Sequence, residues 1–132
     1  MRTTALRTTV LLLLLSILAA GCGSRPQASA SGGVTAELSV SPRSAAAMRP
    51  VTVRLRFSDA QGGVVPADSL EVDARMTEMS HGAERLMFRS TGRGRYEASH
   101  VFSMDGEWEL QVHAVVAGKE FTTTLPLRIG GE

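Results

Sequence analysis

Residues 51–58 of the chain read Val-Thr-Val-Arg-Leu-Arg-Phe-Ser, and this stretch decides the fold class. Its apolar side chains occupy every second position, and polar side chains fill the positions between them. Because successive side chains of a β-strand point to opposite faces, this period predicts a strand with one face in a core and the other in water. A turn is predicted directly after it, at residues 59–63, which end in two glycines.

The same alternation recurs along the chain at intervals of roughly ten residues. The other segments that show it are 34–40, 70–77, 85–89, 96–102, 108–115 and 121–129. No window has the period of a helix. We therefore predict an all-β domain over residues 34–130, an immunoglobulin-like antiparallel β-sandwich of about seven strands, with a β-barrel as the second candidate. Trp108, the only tryptophan, falls on an inward position and is predicted to lie in the core.

The first 21 residues have the features of a bacterial lipoprotein signal peptide. Two arginines precede the apolar run 10–20, which is too short to span a bilayer as a helix. Residues 18–22, Leu-Ala-Ala-Gly-Cys, resemble a lipobox, where cleavage precedes the cysteine and its thiol is lipidated. We predict a signal peptide at 1–21, then a lipidated Cys22 and a flexible tether over 22–33. The protein would be anchored in the cell envelope and face the periplasm or the exterior. The alternative is an ordinary signal peptide with an incidental cysteine.

Composition excludes several classes of function. Cys22 is the only cysteine, so the chain has no intramolecular disulfide and no cysteine-based zinc site. Without the two arginines of the signal peptide, the 14 basic residues fall to 12 against 13 acidic ones, and this net charge of −1 does not favour nucleic acid as a partner. There is no glycine-rich phosphate loop, nucleophile elbow or His-Glu-x-x-His run. We therefore predict that the protein is not an enzyme and has no catalytic residues.

Soft donor atoms are concentrated in one short stretch. Met76, Met79 and His81 lie within six residues, and Met87 follows. Strand parity points Met76 into the core and Met79 and His81 outward. A hairpin that pairs Met76 with Phe88 then places Met87 outward and diagonal to Met79. Because thioethers and imidazole are ligands of Cu(I), we predict a Cu(I) site formed by Met79, His81 and Met87, with Met76 beneath it.

Each of these histidines and methionines can also have a purely structural role. Methionine fills irregular gaps in cores, and His81 is also an ordinary turn residue. His100 shares the inward phase of its strand, which favours a hydrogen-bonded interior histidine, although it can also form a second donor pair with Met104. His113 is outward on its strand and is predicted to lie on a solvated face.

Charged side chains cluster near two turns. Arg89, Arg93 and Arg95 surround a glycine turn and, close to a membrane, would attract lipid headgroups or phosphates. The alternative is a solvated hairpin tip. Glu107 and Glu109 lie two residues apart on an outward face, and nothing in the sequence places them in a cleft.

Three short segments connect the chain to a family. The segments Met76-x-x-Met79-x-His81, Gly-Arg-Tyr-Glu-Ala at 94–98 and Met-Asp-Gly-Glu-Trp-Glu-Leu at 104–110 resemble the YtkA-like and FixH-like domains of bacterial envelope proteins. The resemblance extends over residues 35–130. It implies a small β-sandwich and, for some members, a role in copper handling or cytochrome oxidase maturation.

The sequence thus leads to two functional hypotheses. The first is a membrane-anchored lipoprotein whose binding module handles copper or assists assembly of an oxidase or efflux system, with a component of that system as its envelope partner. The alternative is a structural or protein-interaction domain that binds no metal and uses its sheet edges. Metal titration distinguishes the two hypotheses.

Overall fold

The computed structural model describes residues 27–80 and 82–131, and this part of the chain folds into two antiparallel sheets. The strands are β1 Gln27–Ser31, β2 Val34–Ser41, β3 Pro50–Ser58, β4 Ala67–Met76, β5 Glu84–Leu86, β6 Arg89–Gly92, β7 Arg95–Val101, β8 Gly106–Val116 and β9 Lys119–Ile129. One sheet has the order β1-β2-β3-β7-β6 and the other β5-β4-β8-β9. The predicted all-β sandwich is confirmed. None of the described residues belongs to a helix of the length and apolarity that a membrane span needs.

The core lies between the two sheets and follows the alternation of the sequence. In β3 and β8, every second side chain is buried, as the hydrophobic pattern predicts. Trp108 is only 2% exposed, which confirms its predicted place in the core. Its indole packs edge-on against Phe102 with ring centroids 5.1 Å apart, and Phe57 packs in the same way against Phe121 at 5.9 Å. Each fully buried side chain of this kind contributes about 1.5–3 kcal/mol to folding.

The N-terminal boundary of the domain differs from the prediction. The tether was predicted to extend to Gly33, but Gln27–Ser31 forms β1 and pairs with β2, from Gln27 opposite Leu38 to Ser31 opposite Val34. The prediction is therefore wrong for residues 27–31. The signal peptide and Cys22 lie outside the described residues.

The strand predicted over 85–89 is in fact two strands in different sheets. β5 belongs to the four-stranded sheet and β6 to the five-stranded sheet, and Met87 and Phe88 connect them at the side of the sandwich. Phe88 is half-buried and packs against the core. The described part of the chain therefore has nine strands rather than about seven.

The register of the β4–β5 hairpin also differs from the prediction. Val72 lies opposite Leu86 and Ala74 opposite Glu84, so Met76 does not pair with Phe88. Met76 is instead opposite Trp108 on β8. The predicted register is wrong, and with it the argument that placed Met87 diagonal to Met79.

The antiparallel topology brings three connections to one end of the sandwich. Pro50 pairs with Val101, which places the β2–β3 connection beside the β7–β8 connection. Met76 pairs with Trp108, which places the start of the β4–β5 connection there as well. We call this the methionine end and define it by residues 42–49, 76–80 and 102–105.

The two sides of the sandwich are also distinct. On one side β1 lies against β9, where the hydroxyls of Ser29 and Thr123 are hydrogen-bonded at 2.5 Å. On the other side the chain itself passes from β5 to β6. The sheets are thus linked on both sides.

Candidate functional site

Four methionines lie at the methionine end, although they are far apart in the sequence. They are Met48 in the β2–β3 connection, Met76 at the end of β4, Met79 in the residues after β4 and Met104 in the β7–β8 connection. Met48 is 75% exposed, and Met79 and Met104 are each 40% exposed. Met76 is half-buried and packs against the core. Exposed apolar side chains that form one contiguous patch often mark a binding site.

Met48 is held in place by the backbone around it. Its N–H donates to the carbonyl of Phe102 at 2.9 Å, and the N–H of Ala47 donates to the Asp105 carboxylate at 2.7 Å. The φ angle of Met48 is 60°, in the left-handed region that non-glycine residues seldom occupy. Met104 lies two residues beyond Phe102, so at most about 7 Å of chain separates it from the carbonyl that Met48 contacts. Strained backbone of this kind is often found at functional sites.

Met76 and Met104 both lie against the start of β8. The methyl of Met76 is 2.7 Å from the position that a Cβ on Gly106 would take, so the missing side chain of Gly106 makes room for this thioether. The carbonyl of Met104 accepts a hydrogen bond from the Trp108 indole N–H at 3.1 Å. Trp108 thereby ties the loop that carries Met104 to the core.

Met79 and Met87 are separated in the structure. The backbone N–H of Thr77 donates to the carbonyl of Glu107 at 3.1 Å, which holds the chain leading to Met79 beside β8. Met87 is 79% exposed and directly follows β5. Because Leu86 is opposite Val72, the β4–β5 register places Met87 beside Glu71. Glu71 is five residues before the end of β4, about 16 Å along the strand. The set Met79, His81 and Met87 stays a prediction, since His81 lies outside the described residues.

A polar network lies beside the methionines. Glu84 accepts hydrogen bonds from Ser103 at 2.5 Å and from His100 Nε2 at 2.6 Å. Partial burial raises the pKa of the Glu84 carboxyl, but the hydrogen bonds from Ser103 and His100 and the charge of His100 outweigh it and hold this pKa below its ordinary value. Because Ser103 donates to the carboxylate and not to the imidazole, these three residues do not form a nucleophilic relay.

His100 and His113 lie as the structural interpretation predicts. The His100 side chain is 18% exposed, its Nε2 is engaged by Glu84, and its ring packs edge-on against Phe102 at 4.8 Å. This confirms a hydrogen-bonded histidine that packs against the core. The pair of His100 with Met104 stays a prediction. His113 is exposed, with Nδ1 3.4 Å from the hydroxyl of Thr122.

The methionine end offers sulfur donors from its four methionines. Within residues 27–80 and 82–131, no three His, Cys, Asp or Glu side chains are grouped to hold a metal ion. Thioethers are soft ligands that suit Cu(I) and bind hard cations poorly. Met48 was missed by sequence reasoning because it is 28 residues from Met76. The sequence does show that Met48 comes just before the predicted strand β3. Because the start of β3 lies beside the end of β7, this position brings Met48 close to the connection that carries Met104.

Comparison with known proteins gives a family and two similar solved structures. The YtkA-like family matches the chain over residues 28–113, more than half of its length. The crystal structure of a DUF4426 family protein from Pseudomonas aeruginosa has a TM-score of 0.62 at 14% identity and covers 81% of this chain and 96% of its own. The Lin-41 filamin domain has a TM-score of 0.47 at 18% identity over 70% of this chain and 93% of its own. None of the curated proteins matches the chain.

Proposed function

Because the chain belongs to the YtkA-like family, we propose that it is a membrane-anchored lipoprotein whose β-sandwich binds Cu(I) and handles copper in the cell envelope. The observation that carries this proposal is the methionine end. Apart from Met1, four of the five methionines are there, and they come from three separate connections. The fifth, Met87, lies elsewhere and provides a control.

The chemistry of these ligands suits transfer of copper rather than permanent storage. A thioether is neutral and has no proton to lose, so methionine ligands bind Cu(I) without adding charge or requiring deprotonation. Three of the four methionines are at least 40% exposed, so a partner has access to the ion. His81 follows Met79 by two residues and is proposed as an additional ligand.

The predicted lipid anchor at Cys22 would orient the methionine end relative to the membrane. Gln27 pairs with Leu38, which lies three residues before β2 ends at the methionine end. The first strand of the domain therefore begins close to that end. From Cys22 to Gln27 the chain spans at most about 18 Å when extended. A lipid on Cys22 would therefore keep the methionine end near the bilayer. We infer that the recipient or donor of the ion is a membrane-embedded protein, such as an oxidase or efflux component.

Competition for Cu(I) tests the metal site. The full chain is expressed with its leader, purified in a neutral detergent and titrated under reducing conditions against a chromogenic Cu(I) chelator. We expect one retained Cu(I) ion, and at least about tenfold weaker binding for Met79→Leu and Met104→Leu, since each removes one sulfur ligand at little cost in volume. Met87→Leu is the matched control and should bind as the wild type does.

Two outcomes contradict the metal site as proposed. If the wild type loses all Cu(I) to the chelator, the protein-interaction alternative gains support. If Met87→Leu weakens binding as strongly as Met79→Leu, the ligand set is Met79, His81 and Met87 instead. The anchor is tested separately, since Cys22→Ser should release the protein from the membrane fraction.

A further inference from the structure

The outer face of the five-stranded sheet carries more arginines than it can pair. Four arginines project there from β3, β6 and β7, and two glutamates accompany them. Glu97 is shared by Arg54 at 3.0 Å and Arg89 at 3.3 Å. Glu37 accepts from Arg56 at 3.4 Å. Among the described residues, Arg95 has no carboxylate within salt-bridge distance.

Two of these arginines are placed directly against each other. Arg56 on β3 is the cross-strand partner of Arg95 on β7. Like charges in this relation destabilise a sheet unless an anion lies between them. The Nε of Arg56 is also buried without a hydrogen-bond acceptor among the described residues. A buried donor without an acceptor is costly, whereas the rest of the Arg56 side chain is partly exposed and paired with Glu37, so an added oxyanion near this position would be favourable.

A recess opens above this pair. It has a volume of about 230 Å³, and three arginines and one glutamate line it, for a net charge of +2. Ser39 and Thr91 add hydroxyl groups to the lining. A guanidinium presents two parallel N–H groups that match the oxygens of phosphate, and hydroxyls complete such a site.

We propose that this recess binds a phosphate group between Arg56 and Arg95. The group accepts from both guanidinium forks. Leu38, which lines the recess, pairs with Gln27, where the chain arriving from Cys22 enters the sheet. Both a phospholipid headgroup and free inorganic phosphate offer this chemistry. The site is independent of the proposed copper function.

Thermal unfolding of the full chain in neutral detergent tests the site with two probes. The first is inorganic phosphate, compared with sodium chloride at equal ionic strength, and the second is dihexanoyl phosphatidylglycerol below its micelle concentration. We expect phosphate to raise the melting temperature in a saturable manner, because a ligand that binds only the folded state stabilises it. Arg95→Gln should weaken the apparent affinity at least about tenfold, since the bidentate contact and one charge are lost. Arg95→Lys should weaken it less.

Arg85→Gln is the matched control. Arg85 lies on the other sheet and is paired with Asp73 at 2.6 Å, so its loss should change the affinity by less than about twofold. Binding of phosphate and of the lipid probe supports a headgroup as the source, whereas binding of phosphate alone supports a free anion. If neither probe acts beyond sodium chloride, or if Arg95→Gln binds both as tightly as the wild type, the proposal is wrong.

Discussion

Replacing Gly94 by alanine is expected to destabilise the domain strongly. The φ angle of Gly94 is +67°, and a Cβ there would lie 2.4 Å from both the carbonyl oxygen of Val65 and a methyl of Val64. Neither the backbone at Gly94 nor the Val64–Val65 segment can move away easily. The N–H of Phe57 donates to the Gly94 carbonyl at 2.9 Å, while the N–H of Val65 donates to the Phe57 carbonyl at 3.0 Å. The backbone is thus fixed on both sides of the clash.

Two terms set the size of the effect. The left-handed conformation costs an alanine about 1–2 kcal/mol, of which the less flexible unfolded chain returns about 0.5 kcal/mol. Forcing a methyl group into closely packed surroundings adds about 1–3 kcal/mol. We therefore expect Gly94→Ala to lower the free energy of unfolding by about 3 kcal/mol, a large share of the roughly 5–15 kcal/mol typical of a domain. In a domain of this size, the melting temperature falls by roughly 12–24 °C.

Gly118→Ala is the matched control. Gly118 has φ +74°, close to that of Gly94, but an added Cβ there meets nothing within 4 Å. Gly118→Ala should lower the free energy of unfolding only by the cost of the left-handed conformation, about 1 kcal/mol. Chemical denaturation followed by Trp108 fluorescence measures both variants. Equal losses in the two variants would refute the reasoning, because they would show that the segment over Gly94 yields without cost.

Two further predictions concern the β8–β9 turn and the polar network. Ala117 has φ +51° in the two-residue turn before Lys119, so Ala117→Asn should raise the free energy of unfolding by about 0.5–1 kcal/mol in chemical denaturation. Glu84 has a lower pKa folded than unfolded, so its stabilising contribution is present above the ordinary value of 4.5 and is lost as the pH falls below it. The stability difference between wild type and Glu84→Gln should therefore shrink as the pH falls below 4.5; a constant difference would contradict this.

The alternation of side chains predicts strands only where a strand buries one face. β3 and β8 follow this rule and are predicted from the sequence, as is the core position of Trp108. β1 has the sequence Gln-Ala-Ser-Ala-Ser, whose small and polar side chains resemble a flexible segment. It is a strand because β2 offers a row of backbone donors and acceptors, and such pairing has no hydrophobic signature.

The hairpin register shows a second limit of the pattern. The predicted pairing of Met76 with Phe88 and the observed pairing of Val72 with Leu86 differ by an even number of residues. An even shift leaves every side chain on its predicted face, so hydrophobic alternation cannot separate the two registers. The parity of Met76 was therefore predicted correctly, whereas the neighbours of Met87 were not.

The candidate site is only partly predictable from the sequence, for a related reason. Met76 and Met79 are close in sequence, and their concentration of sulfur was visible there. Met48 and Met104 join them only through the pairing of β3 with β7 and of β4 with β8, which are contacts between distant parts of the chain. Sequence reasoning that finds strands but not their order cannot bring such residues together.

The linked sides of the sandwich affect how copies of the domain can associate. Open strand edges are templates on which other chains add strands and aggregate. Here β1 lies against β9 on one side, and on the other the edges are β5 and β6, only three and four residues long and joined by the chain. On the β5–β6 side, the described residues therefore leave little edge for another chain to extend. Copies of the domain are thus protected from joining through the β5–β6 side of the sandwich.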